Sequence, residues 1–219
     1  QEKYPFSTDE LRGELAHTLW LLNRVDSAKA LARLLREHPV FGQYEIVLAA
    51  GDGRLDEDEE AASSYKKVKQ AIAEHDKTIT LSVGQLTVGV TVPEWSGVLM
   101  LSNMKSPSAY MQAAFRVQNP YETTVSVDGR PMLRRKERAY VFDFDPARTL
   151  TIYDEFANNL SAGSANRGTS RDRRDHIREL LNFFPVIGED DEGRMVQIDA
   201  QQVLSIPRKL KSREVVRHG

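Results

Sequence analysis

Two polar residues in the stretch SPSAYMQAAFRVQNP have types and a spacing that could do chemistry. Gln112 and Arg116 stand four positions apart, so a helix places their side chains on one face. A guanidinium on such a face either pairs with its neighbour at the surface or carries its charge to a phosphate group, whose geometry it matches. The spacing alone leaves both interpretations open.

A second polar segment, QLTVGVTVPEW, lies before this helix, and one predicted strand separates the two. It carries Thr87, Gly89, Thr91 and Pro93 between two apolar runs. Hydroxyl groups and backbone amides in such a turn can hold a phosphate. Taken by itself, the segment is more typical of an ordinary connection between strands.

Two carboxylates, Asp143 and Asp145, close a later apolar run and could hold Mg²⁺ at the end of a strand. Asp145 also precedes Pro146, which makes it a natural cap for the helix that follows. A metal-dependent enzyme that uses this pair is therefore a minor hypothesis beside the helix-cap interpretation.

Several classes of active site are excluded by the motifs that the sequence lacks. Residues 163–170 have the Gly-x-x-x-x-Gly spacing of a phosphate loop, but Thr169 stands where the lysine is needed, so the chain has no complete phosphate-loop site. There is no cysteine, no Gly-x-Ser-x-Gly elbow and no His-Glu-x-x-His helix. The net charge of −2 means that any nucleic-acid role must come from a local patch.

Five apolar runs predict the strands that must position the polar residues, and amphipathic segments lie between them. Because the runs are nearly uniformly apolar, they predict an α/β fold in which helices cover both faces of a parallel sheet. The predicted strands are 17–22, 44–50, 78–83, 97–102 and 139–145.

Capping residues predict where the helices begin. Ser7 and Glu10 form a capping box at the first helix, Asp26 or Ser27 caps the second, and Ser106 caps the helix of the opening stretch. The other expected helices are 64–75 and 146–160. The acidic run 52–60 predicts a solvated loop, and residues 121–138 predict a polar, basic excursion with a tight turn at VDGRP.

A shift to small polar residues predicts a linker at 161–170, which separates an α/β domain at 1–160 from a small, mainly helical extension at 171–219. Helices are expected at 171–184 and near 199–206. The first residue is Gln1 rather than methionine, so we expect a piece of a longer protein. No apolar run is long enough to span a membrane, and no signal-peptide pattern opens the chain, so we expect a cytoplasmic location without a membrane partner.

The two polar segments, in this order, resemble the fifth and sixth conserved motifs of superfamily 2 helicases and translocases. In that family a strand and the pattern Thr-Gly-x-Asp-x-Pro are followed by another strand and by a helix with Gln-x-x-Gly-Arg-x-x-Arg. Thr87, Gly89 and Pro93 match the first motif, and Gln112 and Arg116 match the second.

Flanking segments extend the resemblance to about residues 1–160. HTLWLLNRVDSAKALARLL resembles the family's fourth motif, and AYVFDFDPARTLTIYDEF resembles the strand and helix that follow the sixth motif in the restriction-enzyme branch. The family pattern is not complete, because Thr91 replaces its Asp, Phe115 its Gly and Asn119 its second Arg. The resemblance implies the second RecA-like lobe of a motor, most like the motor subunit of restriction–modification enzymes.

The resemblance also implies roles for individual residues. Arg116 and Gln112 would be catalytic, and Gly89, Thr91 and Arg116 would contact ATP, which is held with Mg²⁺ mainly by a first lobe absent from this chain. If one arginine is too few, Arg130, Arg134 or Arg135 could substitute. The residues expected to contact the DNA backbone are Asn23, Arg24, Ser27, Ser82 and Thr87.

The function expected from these features is ATP hydrolysis coupled to movement along double-stranded DNA, with the first lobe of the same full-length protein as partner and methylase or specificity subunits as further partners. The alternative is an α/β module of RecA-like fold that binds or assembles without motor activity. The replacements at Thr91 and Asn119 motivate this alternative.

Overall fold

The structure is a computed structural model that describes residues 6–50, 57–84, 90–162, 170–183, 187–189 and 195–197. Its centre is a sheet of five parallel strands in the order β2-β3-β1-β4-β7. These strands are β1 (His17–Leu22), β2 (Glu45–Ala50), β3 (Thr78–Val83), β4 (Gly97–Met100) and β7 (Tyr140–Asp143). With its flanking helices the sheet has the parallel α/β architecture that the sequence predicts, and each strand lies within two residues of its predicted bounds.

The described part of the chain contains six α-helices, of which the first precedes β1. They are α1 (Asp9–Glu14), α2 (Val25–Glu37), α3 (Glu57–Glu74), α4 (Pro107–Phe115), α5 (Pro146–Ala162) and α6 (Ser170–Phe183), and a 3₁₀ turn spans Phe41–Gln43. The prediction that the acidic run is a loop through residue 60 is wrong, because α3 begins at Glu57. Carboxylates are favoured in the first turn of a helix, where they face the positive end of its dipole.

The predicted caps are confirmed at two helices, α4 and α5, and wrong at α1 and α2. Ser106 caps α4, since its Oγ accepts the backbone N–H of Ala109 at 3.3 Å. The first helix is capped by Thr8 rather than Ser7, and the Thr8 Oγ1 accepts the N–H of Leu11 at 3.2 Å. Helix α2 begins directly after Arg24, so Asp26 and Ser27 lie inside its first turn instead of capping it.

The polar excursion is a β-hairpin, formed by β5 (Glu122–Val127) and β6 (Arg130–Arg135). Asp128 and Gly129 make the turn with φ angles of 50° and 75°. Positive φ at both central residues is the geometry that matches the twist of two antiparallel strands, and Asp-Gly adopts it readily. The predicted tight turn is confirmed, and all six residues of β6 are exposed.

The core lies on both faces of the parallel sheet. Trp20 is in register with Leu81 on one side and with Leu99 on the other, so the three side chains share a face. Helix α2 covers this face with Ala28, Ala32 and Leu35, which are buried in the same cluster. An aromatic group closes one end of the cluster and consists of Phe6, Trp20, Phe41 and Tyr44.

The chain divides into two compact units, which are described separately. One comprises Glu2–Met104 and Met111–Phe144 and holds the parallel sheet and the hairpin. The other comprises Gln1, Lys105–Tyr110 and Asp145–Gly219, where α5 packs against α6 and β8 (Ile187–Glu189) pairs with β9 (Met195–Gln197). Helix α5 extends to Ala162, into the predicted linker, and the helix expected near 199–206 lies outside the described residues. The division at 161–170 stays a prediction.

Candidate functional site

Arg116 joins the two polar segments that the sequence singled out. It directly follows α4, and its backbone N–H donates to the carbonyl oxygen of Ala113 at 3.2 Å, which closes the last turn. Its side chain is partly buried, and its Nη1 donates to the carbonyl oxygen of Val90. Val90 belongs to the connection between β3 and β4. The tertiary structure therefore brings the guanidinium against the segment whose motif precedes it in the chain.

Gln112 and Asn119, the other polar positions of this motif-like segment, do not share the surroundings of the Arg116 side chain. Gln112 is exposed on α4, one turn earlier. Asn119 is partly buried, and its Nδ2 donates to the carbonyl oxygen of Arg116 at 3.1 Å. The asparagine at the position of the family's second arginine thus satisfies a backbone acceptor beyond the end of α4, a group that a helix leaves without an internal partner.

Lys136 is a residue that sequence reasoning missed. Its Nζ donates to three backbone carbonyl oxygens, those of Pro93 at 2.7 Å, Trp95 at 3.0 Å and Val117 at 2.9 Å. The first two belong to the connection between β3 and β4, and the third follows Arg116. One ammonium group therefore holds both polar segments together. In the sequence Lys136 stands within the run RRKER, which gives no sign of burial.

The electrostatics of this region follow from burial. Removal from water lowers the pKa of Arg116, and the guanidinium still stays charged at neutral pH. Burial lowers the pKa of Lys136 to about 8, and the carboxylate of Glu94 opposes that shift. Glu94 forms an ion pair with Lys69 of α3, and its side chain is only 10% exposed. Two lysine ammonium groups therefore interact with one largely buried carboxylate.

The residues predicted to contact DNA lie mainly at another part of the sheet. Asn23, Arg24 and Ser27 are exposed where β1 ends and α2 begins, at the carboxyl edge of the parallel strands. Ser82 is fully buried in β3 between its two neighbouring strands, so its side chain does not reach the surface in this structure. Thr87 lies outside the described residues.

The end of α4 lies toward the opposite edge. Ser96 directly precedes β4, and its N–H donates to the carbonyl oxygen of His17, the first residue of β1, at 2.9 Å. Lys136 donates to the carbonyl oxygens of both Val117 and Trp95, and Trp95 lies just before β4. The chain that follows α4 is therefore near the amino ends of β1 and β4. Arg116 and the residues predicted to contact DNA therefore lie toward different ends of the parallel strands.

The remaining residues predicted to bind a ligand or a metal are Gly89, Thr91, Asp143 and Asp145. Thr91 is exposed, and Gly89 lies outside the described residues. Asp145 caps α5, since its Oδ1 accepts the N–H of Arg148 at 3.0 Å. Asp143 is the last residue of β7. Within the described ranges no three side chains of His, Cys, Asp or Glu form a group that could hold a metal ion.

No family model matches the chain. The chain is 30% identical over 143 residues to a Mycoplasma pneumoniae protein described as the C-terminus of a type II restriction enzyme and methyltransferase, an alignment that covers 64% of this chain and 19% of that protein. The chain therefore spans about a fifth of the length of this relative.

Among solved structures, the crystal structure of the E. coli DEAD-box protein SrmB, bound to regulator of ribonuclease activity A, matches with a TM-score of 0.39 and 13% identity. The match covers 67% of this chain and 71% of that one.

In the described part of the chain, no helix combines the length and the apolar composition needed to cross a membrane.

Proposed function

We propose that this chain is the C-terminal, second RecA-like lobe of an ATP-dependent DNA helicase or translocase of the restriction–modification type. The observation that carries the proposal is the bond from the Arg116 guanidinium to the carbonyl oxygen of Val90, because it unites the two motif-like segments at one place. The similarity to a restriction enzyme and methyltransferase supports the type of system.

In this proposal Arg116 supplies positive charge to the phosphates of ATP, which is bound with Mg²⁺ by a first lobe that this chain does not contain. A guanidinium has its N–H donors in a rigid fork, so the bond to Val90 fixes the plane of the group. Partial burial strengthens its interaction with a developing negative charge. Gln112, Gly89 and Thr91 are proposed to line the same nucleotide site.

Double-stranded DNA is the proposed second ligand, at the carboxyl edge of the sheet. Helix α2 begins after Arg24 without a side-chain cap, so the N–H groups of its first turn point toward this edge. Such a helix end, with the exposed Asn23, Arg24 and Ser27, suits a DNA phosphate even though the chain has a net charge of −2. Thr87 is proposed as a further contact, and methylase or specificity subunits are proposed as protein partners in the cytoplasm.

The test is DNA-stimulated ATP hydrolysis by the full-length protein with Arg116→Ala. We expect kcat to fall at least about 100-fold, since an arginine that stabilises phosphoryl transfer contributes roughly 10³–10⁵. Arg116→Lys keeps the charge but loses the fork and should restore little. Arg33→Ala removes an exposed arginine from α2 and is the matched control, expected to keep wild-type turnover.

The chain by itself provides a second test, by phosphate release in the presence of duplex DNA. We expect no turnover, because the phosphate loop is proposed to lie in the first lobe. Robust DNA-stimulated hydrolysis by this chain alone would contradict the two-lobe assignment.

The second candidate is a RecA-like module that binds or assembles without motor activity. The observation that favours it is Asn119, which bonds the backbone of Arg116 where the family pattern has a second arginine. Unchanged ATP hydrolysis in the Arg116→Ala protein, with normal folding, would favour this module over a motor lobe.

A further inference from the structure

We propose that Lys136 is a positioning residue that fixes Arg116 against the connection between β3 and β4. The catalytic consequence of this inference rests on the proposed function, whereas the positioning itself does not. Lys136 lies 20 positions beyond Arg116 in the sequence and is separated from it by the whole β5–β6 hairpin.

The first step of the argument is the geometry of the lysine. An ammonium group has three N–H donors, and Lys136 has a carbonyl oxygen at hydrogen-bond distance for each of them, at 2.7, 2.9 and 3.0 Å. No motif that the sequence offers requires such a set of contacts. Charge-assisted bonds of this kind are stronger than bonds between neutral groups, so the three carbonyls are held firmly.

The second step is where those carbonyls lie. Two of them, from Pro93 and Trp95, belong to the same connection as Val90, the acceptor of the Arg116 side chain. The third belongs to Val117, the residue after Arg116. Lys136 therefore connects the backbone next to Arg116 with the backbone next to Val90. Both the donor and the acceptor of the Arg116–Val90 hydrogen bond are constrained in this way.

The third step is the surroundings that keep the lysine in place. Its backbone N–H donates to the carbonyl oxygen of Tyr121 at 2.9 Å, which closes the base of the β5–β6 hairpin. Trp95 and Val117 are fully buried, so their carbonyls belong to the packed interior. The cost of burying the ammonium is visible in the pKa of Lys136, which burial lowers to about 8. A charge retained at this cost is better explained by a positioning role than by a solvated charge run.

The first experiment is NMR on this chain, with the Nε–H signal of Arg116 as readout. Lys136→Met keeps most of the length and the apolar stem but removes every donor, so the signal should move toward that of a mobile arginine. Lys136→Arg keeps a charged donor group and should restore part of the wild-type signal. Lys66→Met, on the exposed face of α3, is the matched control and should leave it unchanged. An Arg116 signal that is equally ordered in Lys136→Met would overturn the proposal.

The second experiment separates this proposal from the proposed function, by ATP hydrolysis in the full-length protein. We expect Lys136→Met to lower kcat about 10-fold or more with a KM for ATP within about 3-fold of wild type, since positioning acts on the transition state. Combined with Arg116→Ala it should add no further loss, because both changes remove the same contribution.

The outcomes of the two experiments are distinct. Wild-type kcat in Lys136→Met, beside an inactive Arg116→Ala protein, overturns the positioning role and leaves the proposed function standing. Unchanged hydrolysis in Arg116→Ala overturns the proposed function, and the NMR signal of Arg116 then decides by itself whether Lys136 positions it.

Discussion

The ammonium of Lys136 lies 2.9 Å from the carbonyl oxygen of Val117, although a β-hairpin separates the two residues in the chain. The same ammonium also donates to the carbonyl oxygens of Pro93 and Trp95. Lys136 therefore links the chain after α4 to the connection before β4. A half-buried lysine with these contacts should affect both the placement of Arg116 and the stability of the fold. The effect on stability should depend on pH.

Stability should rise between about pH 8 and pH 10 because of Lys136. Its pKa is 10.5 in an ordinary environment and about 8 in the folded chain, so the unfolded chain binds more protons between these values. Free energy of unfolding increases with pH wherever the unfolded state holds more protons. Urea unfolding at pH 7.5, 8.5 and 9.5 measures the rise, which Lys136→Met should remove and Lys66→Met should keep. A rise of the same size in both variants would contradict the assignment. The measurements stay below pH 10 because Tyr44 then begins to act in the opposite direction. Its pKa is raised to about 12, so its contribution to the free energy of unfolding decreases as the pH rises above 10.

His17 should make the fold less stable in acid. Burial lowers the pKa of its imidazole below the usual 6.5, although Glu94 and Asp76 oppose the shift. The unfolded chain then binds the proton more tightly, so this contribution to stability is complete above pH 6.5 and is lost as the pH falls through the folded pKa. His17→Asn keeps a polar atom near Nδ1, which lies 3.1 Å from the Thr78 Oγ1. Melting temperatures at pH 5 and pH 7.5 should differ less in His17→Asn than in wild type or in the exposed control His75→Asn.

Gly97 is required by close packing at the start of β4. A Cβ at this position would lie 2.7 Å from Leu15 Cδ2 and 3.3 Å from Thr18 Cγ2, and both neighbours are fully buried. We expect Gly97→Ala to cost about 1–3 kcal/mol in the free energy of unfolding, the usual range for overpacking. Gly13 lies inside α1, and a Cβ added there would meet no atom within 4 Å, so Gly13→Ala should be stabilising by about 0.5–1 kcal/mol. Chemical denaturation of both variants checks the contrast, and equal effects would show that the packing at Gly97 relaxes.

Thr8, and not Ser7, should contribute the cap of α1. Its Oγ1 accepts the N–H of Leu11 at 3.2 Å, and its backbone is extended as a capping residue requires. Thr8→Ala should destabilise the fold by about 1 kcal/mol, the typical loss for a capping side chain. Ser7→Ala should change the free energy of unfolding by less than half of that. A larger loss at Ser7 than at Thr8 would restore the capping box that the sequence predicts.

Much of the fold was predictable because neighbouring residues in the sequence determine where its strands and turns form. A strand buried on both faces needs an uninterrupted apolar run, and all five such runs became strands of the parallel sheet. The turn at Asp128 and Gly129 was equally local, since Asp-Gly favours positive φ. The predictions failed where two local interpretations compete. An acidic run suits both a solvated loop and the first turn of a helix, and only the fold shows that α3 begins at Glu57.

The sequence by itself determined the apolar runs that form the strands, the absence of cysteine and the order of the segments around Arg116. Tertiary structure decided which of these segments meet. Arg116 reaches Val90 over 26 positions and Lys136 reaches Pro93 over 43, because each connection in a parallel sheet must cross back to the amino edge before the next strand begins. No local pattern encodes such a meeting. In the sequence Lys136 therefore resembles part of a solvated charge run, and only the folded chain shows it half-buried, with its ammonium bonded to three carbonyl groups.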